Sequence, residues 1–321
     1  MSPDKNGGGR VAKAAPSMLD LIHLSRRPLF PPGGVELYRQ IALLSEMKSS
    51  DEVLVVPSGL AVTLEYFVSE YDVHGSGVED DPLLLERAEE RLRGLGLLDR
   101  VHVQPGEMDG LPFRDGIFDL VVAELGLTSR VEPEAAVEEV VRVAKPGGTV
   151  VVVQPVWKAP VDRERQAVLS DYLGCRPLML VEWKRIMKGA GLERLHTEDW
   201  SDEETAFRPQ ITKPFPDFAE LFSTSEKLGI LRRARRRWGW GGLWAAMVRE
   251  WEVHKVLTRD RILGLDLVKG VKTGAVPSVS PGVQRSSAGA EGAAPEAQDD
   301  TSAGAQVTGL PLFGAEADHN D

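Results

Sequence analysis

Between Arg232 and Trp244 the chain places five arginines and three tryptophans, the densest concentration of chemistry-bearing side chains it has. Guanidinium groups pair with phosphates or carboxylates while indoles occupy an interface, so Arg232, Arg233, Arg235, Arg236, Arg237, Trp238, Trp240 and Trp244 suit an anionic, aromatic or membrane-interfacial partner. The competing reading is a solvated helix whose tryptophans pack on the domain, with cation–π contacts from arginine; Leu243, Met247, Val248 and Trp251 continue a helical stripe that needs a protein partner. A second concentration is Glu79-Asp80-Asp81, just before Pro82. A carboxylate offers two acceptor oxygens and no competing donor, and acids here also favour the positive N-terminus of a following helix. For moving a proton the candidates are Glu124, His196 and His254. Cys175 is the single cysteine, which excludes an intramolecular disulfide, a thiolate zinc cluster and a CxxC redox pair.

These residues sit in a chain of 321 residues, 42% hydrophobic and 27% charged, with a net charge of −11. That length allows one large domain or two modest ones. The acidic balance argues against a general nucleic-acid binder, because phosphate binding needs a positive field. The polar N-terminus lacks the apolar core of a signal peptide, and no run of about eighteen apolar residues is present, so the expected setting is cytoplasmic and reducing. Residues 1–16 and 273–321 are rich in Gly, Ala, Pro, Ser and acids without a hydrophobic period, and are expected to be disordered tails.

What must position the acids is an alternation of apolar runs and helical patterns. A helix over Val35 to Lys48 precedes Glu52 to Val56, a continuous apolar run of the kind buried on both faces of a parallel sheet. Further strands read at 73–78, 101–103, 118–123 and 148–154. Helices read at 62–71, at 134–144, and from Pro82 to Leu95, where Asp81 caps the start and Gly96 the end. The pattern gives an α/β class with a doubly wound, mostly parallel sheet, whose ligand lies at the carboxyl ends of the strands. His74-Gly-Ser-Gly77 is a fragment of a dinucleotide-binding loop only in letters, since Val78-Glu79 is still strand where that fingerprint needs a helix.

The order of short segments resembles the class I S-adenosylmethionine-dependent methyltransferases, in particular the small-molecule group that includes the quinone-biosynthesis enzymes. The segments are Val53-Leu-Val-Val-Pro-Ser-Gly-Leu-Ala61, Gly77-Val-Glu79, Gly106-Glu-Met-Asp-Gly-Leu-Pro-Phe113, Phe118-Asp-Leu-Val-Val-Ala-Glu124 and Arg142-Val-Ala-Lys-Pro-Gly-Gly148. The resemblance implies a Rossmann-like methyltransferase fold and S-adenosylmethionine as cofactor. It implies cofactor contacts from Val56, Pro57, Ser58, Gly59 and Ala61 at the first turn and from Glu79 and Asp80, with Glu79 on the ribose hydroxyls. Glu107 is similar to the acid that meets the adenine amino group, where the family more often has Asp, Met108 flanks the ring, and Glu124 stands toward the reaction centre. Asp119 reads as a structural acid at the strand edge. The first motif departs from the pattern: the acid position holds Val55, and of the three glycine positions, Pro57, Gly59 and Ala61, one keeps glycine. Pro57 fixes φ and removes an N–H, which puts cofactor affinity in question more than the fold.

Beyond the fifth strand come the segments 156–169 and 176–192, the second an amphipathic helix ending at Gly191, followed by a strand at 195–200 that could set His196, Glu198, Asp199 and Trp200 near the pocket; the competing reading, favoured for His196, has alternate residues facing solvent. The expected organisation is an α/β domain over residues 17–206 and a helical cap or lid over 207–272. The function the resemblance implies is methyl transfer by SN2 displacement to a small, apolar or lipid-like acceptor, with no metal. The alternative is a catalytically degenerate module that binds or docks a partner, peripheral to a membrane through the Arg/Trp segment.

Overall fold

The computed structural model describes residues 15–201 and 221–274. The expected tails lie almost wholly outside these residues, as does 207–220 of the expected cap. At the two tail boundaries the chain is already engaged: Arg249 Nη1 donates to Pro16 O at 3.1 Å, and Thr273 N donates to Gly191 O at 3.2 Å.

The elements run α1 (Met18–Ile22), α2 (Gly34–Leu44), β1 (Glu52–Val56), α3 (Val62–Tyr71), β2 (His74–Glu79), α4 (Pro82–Leu95), β3 (Val101–Pro105) and β4 (Phe118–Ala123). They continue with α5 (Pro133–Val143), β5 (Ala144–Trp157), α6 (Arg163–Leu173), β6 (Leu178–Met179), α7 (Leu180–Gly189) and β7 (Leu192–Asp199), then α8 (Thr224–His254), a π-turn at Lys255–Arg259 and β8 (Leu263–Lys272). The main sheet has the order β3-β2-β1-β4-β5-β8-β7, parallel as far as β5 and antiparallel at β5/β8 and β8/β7, with short β6 parallel to the end of β5.

β1 shows why a continuous apolar run is required. Val53 and Val55 point into a core with Leu64, Phe67 and Leu92 from α3 and α4, while Leu54 and Val56 point to the opposite core with Val137, Val140 and Trp183 from α5 and α7. Both faces are covered, so alternation with polar residues would bury them. α4 is delimited by its ends: Asp81 Oδ1 accepts from Leu83 N at 2.8 Å, Pro82 opens the first turn and Gly96 closes the helix at φ 70°. Asp119 is structural, accepting Glu52 N at 2.9 Å and Lys145 Nζ at 2.7 Å.

Two expectations are corrected, the extent of the cap and the start of the helix read from 176. The cap does not extend to 272, because residues 263–272 form β8, inserted between β5 and β7 with Asp266 paired to Gln154 and to Asp199. In the segment 156–169, Val156 and Trp157 still pair in the sheet with β8 and β6, and α6 starts at Arg163. The helix expected from 176 starts at Leu180, after β6.

α8 turns sharply at Gly239, whose φ of 73° and ψ of −173° leave the helical region. Its first half buries Ile230 and Ala234 against Leu21 and Leu24, and its second half buries Leu243 and Ala246 in the same cluster. Arg233 Nε donates to Leu24 O at 2.7 Å and Trp238 is half-buried, so these two members of the Arg/Trp segment serve the domain. The packing stripe expected through Val248 and Trp251 stops short of them: both are exposed.

Candidate active site

The carboxyl ends of β1, β2 and β4 open into one cavity of about 1580 Å³. Ligand sites usually occupy roughly 300–1,000 Å³, so this volume takes a cofactor and a second molecule together. A smaller cavity of about 360 Å³ adjoins it, sharing Glu79, Asp80, Met108 and Arg130 with it and adding Glu107 and Gly106.

The first turn is built from backbone. Ser58 N donates to Val78 O at 2.8 Å and Ala61 N to Ser58 O at 2.8 Å, which folds Pro57 to Ala61 over the end of β2. Gly59 and Ala61 both adopt left-handed φ, 52° and 56°. For Ala61 that costs about 1 kcal/mol or more, so the loop reaches positive φ at a position without glycine. Close approach of this loop to β2 explains Gly77: a Cβ there would lie 2.6 Å from Ser58 Cβ. Ser58 Oγ is buried in the lining with no hydrogen-bond partner among the described residues.

Glu79 closes β2 as expected and is 3% exposed. Its Oε2 accepts Gly59 N at 2.8 Å and its Oε1 accepts Asp81 N at 3.1 Å. Each oxygen keeps a lone-pair direction for a further donor. Burial, opposed by these two bonds and assisted by neighbouring Asp80, pushes its carboxyl up to about 7. Asp80 is held by Arg130 at 3.0 Å, a bridge from the loop after β4 across the opening shared by the two cavities. With Arg130 largely exposed, the pair costs little to part.

Glu124, just past β4, is 6% exposed and accepts Thr63 Oγ1 at 2.6 Å. Its N donates to Val56 O at 2.8 Å, which ties it to the first turn. Burial pushes this carboxyl up to about 7, with the Thr63 hydrogen bond and the nearby Tyr38 phenol opposing and the charge of Glu79 assisting. Tyr38 is buried beside the carboxyl, its hydroxyl outside ordinary hydrogen-bond geometry, and burial followed by the Glu124 charge raises its own ionisation. A buried carboxyl that titrates near neutrality on the cavity wall can take a proton from an incoming group.

Of the residues read from the sequence, the cavity walls bring together Pro57, Ser58, Gly59, Glu79, Asp80, Met108, Glu124 and His254, with Glu107 on the adjoining pocket. Val56 and Ala61 do not line it; Val56 is core and Ala61 packs behind the turn beside Leu64 and Phe67. His196 is not brought there either: it faces outward from β7, 3.0 Å from Glu198 Oε1, while Glu198 binds Gln40 and Asp199 binds Lys158. The reading in which alternate β7 residues face solvent holds for His196.

The sequence reading missed the whole N-terminal wall. Met18, Ile22, Phe30 and Gly33 line the cavity together with Trp157, Leu178 and Leu257, Met18 and Ile22 packing in one cluster with Trp157 and Leu257. The signal was present: Ser17 and Asp20 form a reciprocal capping box, Ser17 N to Asp20 Oδ2 at 2.8 Å and Asp20 N to Ser17 Oγ at 3.1 Å, an S-x-x-D pattern before an apolar run. Thr63, Tyr38 and Arg130 were missed as well, being set by tertiary proximity. Cys175 borders the cavity, but burial pushes its thiol up to about 12, which leaves no thiolate nucleophile at neutral pH.

The residues fit an adenosyl cofactor. A carboxylate with spare acceptor directions at the end of β2, the unpaired Ser58 hydroxyl and the adjoining pocket floored by Met108 offer acceptors, a hydroxyl and an apolar face where sugar, turn and ring would each need one.

Residues 56–152 match the family model described as a methyltransferase domain. The probable chloroplastic tocopherol O-methyltransferase of Oryza sativa subsp. japonica is 27% identical over 178 residues, 52% of this chain and 49% of that protein. The methyltransferase GfsG of Streptomyces halstedii is 23% identical over 210 residues, 64% and 74% of the two chains. The chain thus spans about half the length of the rice relative. Among solved structures, the [4+2]-cyclase SpnF superposes with a TM-score of 0.60 at 20% identity, covering 74% of this chain and 80% of that one. Phosphoethanolamine N-methyltransferase 2 of Haemonchus contortus, solved with S-adenosyl-L-methionine, gives 0.56 at 16% identity, covering 80% and 57%. At such identities the structural likeness speaks for the fold. The methyltransferase-domain match over residues 56–152, together with relatives named as methyltransferases, makes this part of the chain similar to the class I S-adenosylmethionine-dependent methyltransferases.

Proposed function

We propose that this protein binds S-adenosylmethionine at the β1/β2 end of the cavity and passes its methyl group to a small apolar acceptor held between the N-terminal segment and α6 to α8. When bound, the cofactor supplies an activated methyl on a sulfonium leaving group. The chain's part is to orient, exclude water and manage one proton. Glu79, Ser58 and the turn around Gly59 hold the sugar and its attachment, Met108 and Glu107 the ring. The observation that carries the reading is that Glu79 and Glu124, two buried carboxyls from different strands, meet on one cavity wall with the first turn between them. Glu124 takes the acceptor's proton where the acceptor is not already nucleophilic, Thr63 fixing the carboxyl's orientation. The apolar side chains of Met18, Ile22, Phe30, Trp157 and Leu257 favour an uncharged acceptor body. The rice relative named for tocopherol supports an acceptor with a large apolar body.

The second reading is a methyltransferase-like domain doing something other than methyl transfer. Val55 and Pro57 in the first motif favour it, and so does the likeness to a protein named as a cyclase. Calorimetric titration with S-adenosylmethionine and with S-adenosylhomocysteine tests the first. Micromolar binding of either that Glu79→Gln weakens at least tenfold supports it. No heat and no thermal shift at millimolar ligand discards it in favour of the second.

A further inference from the structure

Beyond Gly239 the second half of α8 presents Trp240, Trp244, Val248 and Trp251 on one side, at steps of four, four and three residues. At 100° per residue these fall within an arc of about 80°, a single stripe. The three indoles are 68%, 73% and 60% exposed. Buried Leu243, Ala246 and Val253 already anchor the other side of the helix, so the stripe is not needed to hold it to the domain. Each end of the stripe carries a cation over an indole: Arg235 lies 4.5 Å from the Trp240 ring centroid and Lys255 5.7 Å from that of Trp251. Exposed Arg236 and Arg237 add to the first end, in a chain whose net charge is −11.

Exposed aromatic surface of this extent marks a contact with another body. Its charge decides which. Pairing with a second copy about a two-fold axis opposes Arg235 to Arg237 with themselves in one direction and, in the other, sets these three arginines against one Lys255–Glu252 pair 3.9 Å apart, so an excess of positive charge remains in both cases. A sheet of anionic headgroups over an apolar layer satisfies the cationic ends and the indoles at once. We propose that the second half of α8, with Trp240, Trp244, Val248 and Trp251 flanked by Arg235, Arg236, Arg237 and Lys255, is a docking face for an anionic lipid bilayer. Trp238 and Arg233 lie outside it, being drawn into the domain. The face does not depend on what the cavity does.

The test is flotation of the full chain with vesicles of phosphatidylcholine alone and with about 30% phosphatidylglycerol, at roughly 0.05 M and roughly 0.5 M salt. The protein is expected to float with the anionic vesicles at low salt, with a blue shift of tryptophan emission, and to detach at high salt. The triple variant Trp240→Ala, Trp244→Ala, Trp251→Ala lowers partitioning at least ~10-fold. Arg235→Ala with Arg236→Ala and Arg237→Ala, which leaves every indole in place, lowers it similarly. Circular dichroism and the melting temperature establish that both variants are folded. Absence of flotation at low salt overturns the proposal, as does undiminished flotation of either variant. A dimer in solution that the tryptophan variant dissolves, with no vesicle association, assigns the face to a second copy instead.

Discussion

Glu124→Gln separates the electrostatic cost of this site from its packing. The Glu124 carboxyl, ordinarily near 4.5, is pushed to about 7 in the folded protein. A folded value above the unfolded one means that folding favours the protonated form. The cost is therefore nearly absent at acid pH and grows as pH rises through the interval between the two values. It is under about 1 kcal/mol at pH 5 and about 3 kcal/mol at pH 8.5, a change of about 2.5 kcal/mol. Glutamine keeps the shape and does not titrate. Whatever the variant loses or gains in its bond with Thr63 is much the same at all pH values, and Glu79 titrates in both proteins. The stability of Glu124→Gln relative to the parent should thus rise by about 2.5 kcal/mol from pH 5 to pH 8.5. Urea unfolding of both proteins at pH 5, 7 and 8.5 measures it. Parallel pH profiles, or a relative gain toward acid pH, would refute the assignment of a desolvated carboxyl near neutrality.

Gly77→Ala drives a methyl to within 2.6 Å of Ser58 and 3.0 Å of Leu64, so it should cost about 1–3 kcal/mol in thermal unfolding and weaken S-adenosylhomocysteine binding in calorimetry, whereas Gly75→Ala, with its nearest contact at 3.2 Å, should leave the ligand affinity within a few-fold. Lys158 binds Asp266 at 2.5 Å and Asp199 at 2.8 Å, and Asp266 is 2% exposed. Lys158→Met leaves that buried carboxylate unpaired and should destabilise by about 3 kcal/mol at pH 8. Burial already raises the Asp266 carboxyl, so its protonation should shrink the loss toward acid pH; a loss that does not change with pH removes the ion pair as its cause. Asp81→Ala deletes the acceptor for Leu83 N and should lower stability by about 1 kcal/mol, read by melting temperature.

The sequence made visible what local chemistry determines. The Asp81-Pro82 start and Gly96 end of α4 are written in three residues. The β1 run is apolar throughout because two helix layers cover it, and Glu79 ends its strand as the motif order implies. Glu124 was readable as a position but not as an environment, since Thr63 and Tyr38 reach it from helices far away in sequence. β8 was hidden for a different reason. Leu263, Leu265, Leu267 and Val268 carry strand character, yet nothing local says that the segment leaves α8 to enter the sheet between β5 and β7. For His196 nearness to a strand end left pocket and solvent both open with solvent favoured, and the β7 register turns it outward.

That insertion orders the birth of the fold. β7 and β5 precede β8 in the chain but touch each other through it, and Thr149 to Trp157 find their antiparallel partners in residues 263–271. On a ribosome the half of the sheet from β3 to β5 can close while β5 still has a bare edge along Val150 to Val153, and β7 waits unattached. The sheet is completed by nearly the last described residues to emerge. The nascent chain therefore carries an unpaired apolar edge until synthesis has passed residue 272, a window in which intermolecular strand pairing competes with folding.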